Sequence, residues 1–351
     1  MTEENIRMQL TSLAVINRLH AAIHSVLKNY RQDAPYALLD FPNHSNVGDS
    51  AIWAGEMAYM RHYWGRDPSY VCEHGNVDWT ALTRAVPSGL ILLHGGGNFG
   101  DIWPAHQQFR EEVLKRYPSC TVVQLPQSLQ FNDQSSIRRA AQVIAGHKKF
   151  ILLARDQATY DFATKWFECV VRLCPDMAFC LGRLARSTSP SHSLAVLLRT
   201  DKEAASVNEA GALEMPADAI VEDWLSEPAG THRYARITSL LRMLASLDSR
   251  NMSPMARRIN YYDHLVKIRI HRGVSLISRG SQIISDRLHA HILGTLLDVP
   301  QVMLDNNYGK IGRFIDTWQS DWTGVRRAAD LSVALLVAAD VASSHEERNI
   351  H

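Results

Sequence analysis

Ile283-Ile284-Ser285-Asp286-Arg287-Leu288-His289-Ala290-His291 is the stretch on which the fold turns. Ile283 and Ile284 end a short apolar run of the kind a buried strand shows, and from Arg287 the apolar spacing becomes helical through Leu288, Ile292, Leu293 and Leu296. Arg287 and His289 therefore stand at a helix start. Unpaired backbone N–H groups and the helix dipole favour an anion there, and an arginine adds a two-pronged grip on carboxylate or phosphate. The same residues also fit an Arg287–Asp286 ion pair beside a histidine satisfied in the core, and this stretch alone does not choose between the two.

Strands ending in polar residues recur throughout the chain. Tyr36 to Phe41 reads as a strand, followed by the loop Pro42-Asn43-His44-Ser45-Asn46-Val47-Gly48-Asp49-Ser50 and a helix. Asp49 or Ser50 suits a helix cap, Asn43, Asn46 and Asp49 could hydrogen-bond sugar hydroxyls, and Asp49 could act as a base. The apolar run Gly89 to Leu93 suits a strand buried on both faces, and Gly95-Gly96-Gly97 after it lets a ligand or another backbone approach closely. This loop matches neither Gly-x-Gly-x-x-Gly nor the P-loop. Asn98, Trp103 and His106 follow, the last two spaced to wall a sugar pocket or to face the core. Strands at 120–128 and 150–156 alternate with helical patterns, which gives a parallel sheet whose polar strand ends, including Gln127, Ser128 and Arg155, gather at one edge.

Residues 183–193 read as a polar linker, 194–199 as the start of a second sheet, and 202–217 as a surface insertion. Helical patterns at 232–247 and 256–272 precede the opening stretch. A strand at 301–304 and the turn-forming loop after it put Lys310 at another strand end. The expected division is an N-terminal domain over 1–185, a C-terminal domain over 186–330, and a helix and tail over 331–351 that could cross back to the first domain. An amphipathic helix at 6–30 should pack on the first domain.

At 351 residues, 46% apolar and 21% charged, the chain has the composition of a soluble globular protein large enough for two domains. No apolar run is long enough to span a bilayer, and the first residues lack a signal peptide's pattern, so the cytoplasm is the expected compartment. Five cysteines with no Cys-x-x-Cys pair predict neither a disulfide framework nor a zinc knuckle. Net charge is +1, yet residues 231–327 hold fifteen Lys/Arg against seven Asp/Glu, an excess that suits an anionic substrate or an anionic lipid surface. No nucleic-acid motif is present.

Asn46-Val47-Gly48-Asp49, Gly95-Gly96-Gly97, Arg155-Asp156, Pro175-Asp176-Met177-Ala178-Phe179, Arg287-Leu288-His289-Ala290 and Lys310, in that order, resemble the polysaccharide pyruvyl transferases over about residues 36–320. The resemblance implies two Rossmann-like domains facing a cleft in a GT-B-like arrangement, with phosphoenolpyruvate as donor and a saccharide, which can be lipid-linked, as acceptor. It implies a role in bacterial exopolysaccharide or cell-surface glycan synthesis, at the cytoplasmic face of the membrane. Arg287, Leu288, His289, Arg155 and Lys310 would hold the donor. Asn43, His44, Asn46, Gly96, Gly97, Asn98, Trp103 and His106 would meet the acceptor. His289 would be the general acid and Asp49 a base. No redox cofactor is needed, and no metal-ligand motif such as His-Glu-x-x-His occurs. The basic, aromatic segment 256–272 offers a peripheral membrane contact or a solvated helix. Two alternatives use the same fold: a nucleotide-sugar glycosyltransferase, against which stands the absence of glutamate between Glu227 and Glu346, and a non-catalytic glycan or phosphate sensor.

Overall fold

Leu38 and Leu39 in one strand, Leu92 and Leu93 in the next, and Val122 and Val123 in a third lie side by side in parallel, each row buried on both faces. The computed structural model that shows this describes residues 11–31, 33–200, 215–245, 252–305 and 308–349. After α1 (Ser12–Leu27), the elements run β1 (Tyr36–Leu39), α2 (Val47–Trp64), β2 (Tyr70–Cys72), α3 (Trp79–Ala85), β3 (Leu90–Leu93) and β4 (Gly96–Gly100). They continue with α4 (Pro104–Arg116), β5 (Thr121–Gln130), α5 (Gln134–Ala145), β6 (Phe150–Ala154), α6 (Gln157–Trp166), β7 (Val170–Leu173) and a 3-10 turn at Met177–Leu181. The strands form one seven-stranded parallel sheet in the order β2-β1-β3-β5-β6-β7, with β4 paired to β5. Helices on both faces let the strands be apolar throughout.

The remaining elements are β8 (His192–Leu197), β9 (Ile220–Val221), α7 (Thr231–Ala245), α8 (Pro254–Ser278), β10 (Gly280–Ser285), α9 (Leu288–Leu296), β11 (Gln301–Met303), α10 (Lys310–Trp318), β12 (Val325–Arg327) and α11 (Leu331–Asn349). Their five strands make a second parallel sheet, ordered β12-β11-β10-β8-β9. The core over it joins Val196, Ile284 and Val302 to Leu331, Ala334 and Ala338 of α11. Burying each Val, Leu or Ile side chain of this core contributes about 1.5–3 kcal/mol.

Packing divides the chain into a first unit of 20–181 with 225–270 and a second unit of 1–19, 182–224 and 271–351. The chain passes between units at 181/182, 225–270 joins the first unit, the stretch up to Leu19, expected with the first domain, joins the second, and α11 lies on the second unit's own sheet. The reason is specific pairing. In α8, the fully buried Arg269, held by both carboxylate oxygens of Glu227 within the same segment (2.7 and 3.1 Å), donates across to the Pro42 carbonyl (3.2 Å). Tyr262 stacks flat on Phe41 at 3.6 Å, and Asp263 pairs with Arg61 at 2.7 Å. Tyr262, Asp263 and Arg269 of the segment offered as a membrane contact or a solvated helix thus have partners inside the first unit. Nor is 183–193 a loose tether: Leu184 N donates to Leu296 O (2.8 Å), and Arg186 Nη1 to Gly280 O (2.7 Å).

The start of the 6–30 helix and most of the 202–217 insertion lie outside the described residues. All five cysteines are free thiols, three of them buried. Among the described residues no helix is long and apolar enough to cross a membrane.

Candidate functional site

Because every strand of the first sheet is parallel, the chain leaves β1, β2, β3 and β5 at a common edge. Leaving β1, Asp40 adopts a left-handed backbone (φ 72°), which aspartate tolerates better than most residues. The loop then reaches α2, which begins earlier than expected. Val47 is its first residue and Asn46 its cap, accepting from Gly48 N at 3.1 Å, while Asp49 sits in the first turn and accepts from Asn46 Nδ2 at 2.8 Å. His44 Nε2 stands 3.6 Å from Asp49 Oδ2. Asn43 and His44 are exposed, and Asn46 and Asp49 half-buried, so this stretch lines an accessible rim.

The glycine run is the start of a strand, not a plain loop. Gly96 has φ 122°, a conformation open to glycine, and pairs with Gln127 of β5. A side chain there would put its first carbon 3.4 Å from Asp49 Oδ1, so this glycine brings the β3–β4 connection close to the α2 rim. Gly97 and Asn98 are half-buried beyond it. From α2, the buried Glu56 accepts from Gly95 N (2.8 Å) and pairs with His94 Nδ1 (2.9 Å), which pins the start of the run. Asn98 Oδ1 accepts from Arg110 Nη2 (2.9 Å) and Gln127 Nε2 (2.8 Å), fixing the orientation of its amide. Its Nδ2 faces Asp40 Oδ2 (3.4 Å) and His106 Nδ1 (3.1 Å).

Around Asp40, His106 Nδ1 lies 2.8 Å from one carboxylate oxygen and His74 Nδ1 3.2 Å from the other. Burial alone would raise the Asp40 carboxyl, but the hydrogen bonds from His106 and His74 overcome it and hold the group well below the usual carboxylate range. The shared hydrogen bond with Asp40 raises His74 in turn. Asp40, His74 and His106 form the one cluster among the described residues with the geometry to hold a metal ion. The expected acceptor residues Asn46, Asp49, His44, Gly96, Asn98 and His106 therefore share this edge, while Trp103 stands exposed at the start of α4 with Gln107 N donating to its carbonyl. Sequence reasoning passed over Asp40, Glu56, His74 and Arg110.

Arg155 also belongs to the first unit, whereas the other expected donor residues belong to the second. It is buried, its Nη1 donating to Asp176 Oδ2 (2.8 Å) and its Nε to Ser128 Oγ (3.1 Å).

In the second unit β10 and β11 are adjacent and parallel, so the helices that follow them begin at the same sheet edge. Arg287 is the residue before α9, with its backbone N–H donating to Ser285 Oγ (3.1 Å). Its guanidinium is buried and Nη2 donates to Asp223 Oδ2 (2.7 Å), while the neighbouring Asp286 accepts from Arg199 N through Oδ1 (2.8 Å). Leu288 is buried, His289 is half-buried in the first turn, and His291 is a core histidine held between Gln301 and Gln319. Lys310 opens α10, its Nζ 5.7 Å from the centre of the Tyr308 ring. Asp305 accepts from Ile311 N and Gly312 N (both 3.1 Å) and orders that helix start. Arg287 and Lys310 thus stand, both buried, at two helix starts on one sheet edge, and a helix start favours an anion.

Residues 46–308 match the family model described as polysaccharide pyruvyl transferase. The chain belongs to this family. It is 32% identical over 284 residues to the Bacillus subtilis (strain 168) protein named "Putative pyruvyl transferase EpsO", covering 80% of this chain and 84% of that one. It is 30% identical over 304 residues to Pyruvyl transferase 1 of Schizosaccharomyces pombe, covering 80% and 69%. In fold it is similar to a functionally uncharacterised Klebsiella pneumoniae protein of known crystal structure, with a TM-score of 0.57 at 15% identity over 89% of this chain and 98% of that one.

Proposed function

We propose that the protein transfers the pyruvyl group of phosphoenolpyruvate to a saccharide as a cyclic ketal, in the synthesis of a cell-surface polysaccharide. The observation that carries the proposal is the pair of cations, Arg287 and Lys310, at two helix starts on one edge of the second sheet. A donor with one carboxylate and one phosphate requires such fixed positive groups. Arg155, oriented by Asp176, is assigned as a third donor contact, and Leu288 as part of the donor pocket. The acceptor lies along the rim of Asn43, His44, Asn46, Gly96, Gly97, Asn98, Trp103 and His106. Transfer needs the enol carbons to meet an acceptor hydroxyl.

His289, half-buried in the first turn of α9, gives a proton to the terminal enol carbon. The adjacent carbon becomes electrophilic and bonds to one sugar hydroxyl oxygen. The bond from that carbon to the phosphate oxygen then breaks, a second hydroxyl closes the ketal, and phosphate departs. Of the two hydroxyl protons, one ends on the new methyl group by way of His289 and the other leaves with phosphate. Asp49 accepts a hydroxyl proton on the acceptor side.

A lipid-linked acceptor would bring the protein to an anionic membrane at the cytoplasmic face. The better surface for that contact is α7, not α8. Tyr234, Ile237, Leu240, Leu241 and Leu244 are exposed along α7 among exposed Arg233, Arg236 and Arg242, and the helix carries no acidic residue.

The proposal is tested by phosphate release. Phosphoenolpyruvate should yield inorganic phosphate when a saccharide acceptor is added and not without it, and His289→Ala should reduce the rate by about 10²–10⁴ with the fold intact. A protein that binds phosphoenolpyruvate and releases nothing with any acceptor would be a sensor, and normal turnover in His289→Ala would remove that residue from the chemistry.

A further inference from the structure

We propose that Asp40, His74 and His106 form a binding site for a zinc-class divalent transition-metal ion at the edge of the first sheet. The three side chains come from three separate connections: the exit of β1, the turn after β2 and the first turn of α4. Their ligand atoms all lie within 4.8 Å of one another. Asp40 Oδ1 is 3.2 Å from His74 Nδ1 and 3.1 Å from His106 Nδ1. An ion bound tetrahedrally at about 2.0–2.1 Å from nitrogen and oxygen ligands has ligand-to-ligand edges only slightly longer than these, so it can enter with small movements.

The chemistry of the donor set is selective. Two imidazole nitrogens and one carboxylate oxygen suit zinc and neighbouring transition ions; magnesium and calcium prefer all-oxygen sets. Three protein ligands leave an open position, the arrangement of an ion that binds a water or a hydroxyl. Asn98 acts as an outer support, its Nδ2 facing Asp40 Oδ2 while Arg110 and Gln127 hold its carbonyl. The half-buried rings of His74 and His106, 4.1 Å apart between centres, give the ion a way in from solvent. The buried guanidinium of Arg110, one side chain beyond Asn98, opposes added positive charge, so an exchangeable ion is expected in place of a permanent structural one. This site stands independently of the pyruvyl-transfer proposal. If the acceptor lies along this rim, one of its hydroxyls could take the open position.

The test uses cobalt(II) as a spectroscopic probe on the full-length protein after chelator treatment and dialysis. The expected result is saturable binding of one equivalent, with the visible absorption of a four- or five-coordinate ion and displacement by zinc. His74→Ala and His106→Ala should each abolish that absorption, and the near-isosteric Asp40→Asn should weaken binding by about tenfold or more. His74 is partly exposed at the surface, so its variant tests the site without emptying the core. Absence of saturable binding, or cobalt absorption retained in both histidine variants, overturns the proposal.

Discussion

Glu227→Ala should loosen the first unit severely, because it strands a charge that has no access to water. Arg269 is fully buried, and both its contacts with Glu227 are direct charge-assisted hydrogen bonds at 2.7 and 3.1 Å. Removing one partner of a buried ion pair typically destabilises by about 3–5 kcal/mol. Two features favour the lower end. Glu227 retains a partly exposed edge at 14%, so the pair is not wholly dry, and the Pro42 carbonyl still accepts from Arg269 Nη1 at 3.2 Å. For a unit of about 200 residues, roughly 3 kcal/mol corresponds to a fall of about 6–12 °C in Tm. The assay is thermal unfolding by calorimetry, with Glu227→Gln as a milder control that keeps an acceptor. The same variant should perturb the loop after β1, since Arg269 holds its Pro42 carbonyl. A Tm within about 2 °C of the parent would refute the claim that this pair braces residues 225–270 of the first unit.

Three further outcomes are expected. Gly96→Ala places a side chain on a backbone at φ 122°, next to Asp49, and should destabilise by about 1–3 kcal/mol, measured by urea unfolding; an unchanged midpoint would contradict the close approach of the β3–β4 connection to α2. Asp133 caps α5, and hydrogen bonds from the Ser135 hydroxyl and from Ser135 N and Ser136 N hold its carboxyl down to about 2. Its contribution to stability is therefore present above the ordinary carboxylate pKa and is lost as pH falls through about 2; an NMR titration midpoint near the ordinary value would contradict the cap. Replacing Leu240 and Leu244 of α7 by glutamate should abolish sedimentation with anionic lipid vesicles, and failure of the parent protein to sediment with them would end the membrane proposal.

What the sequence disclosed followed from how local each signal is. Continuous apolar runs such as Leu90 to Leu93 and Phe150 to Ala154 announce strands buried on both faces, and they pair in parallel as the alternation with helices requires. Short edge strands such as Tyr70–Cys72, Ile220–Val221 and Val325–Arg327 carry too few residues for a pattern to register. The assignment of 225–270 was hidden for a different reason. An amphipathic helix declares that it has a buried face but not which sheet it covers, and that choice rests on Arg269 meeting the Pro42 carbonyl, Tyr262 meeting Phe41 and Asp263 meeting Arg61.

The cationic helix starts were legible because Arg287 stands just past the end of β10 and Lys310 opens the helix reached by the turn-forming loop after β11. The pairing of Arg287 with Asp223 was not, since 64 residues separate the two in sequence. The cluster of Asp40, His74 and His106 escaped notice, although His106 alone was singled out, because each stands alone in its own connection. No short spacing links them, and only the parallel sheet brings the three together.

The central claim is that the second unit's cationic helix starts hold phosphoenolpyruvate, and its most direct test is calorimetric titration of the protein with that compound beside UDP-glucose. The account predicts saturable binding of phosphoenolpyruvate and not of the nucleotide sugar, with binding lost in Arg287→Ala. Binding of UDP-glucose alone, or phosphoenolpyruvate affinity unchanged in a folded Arg287→Ala variant, would contradict it.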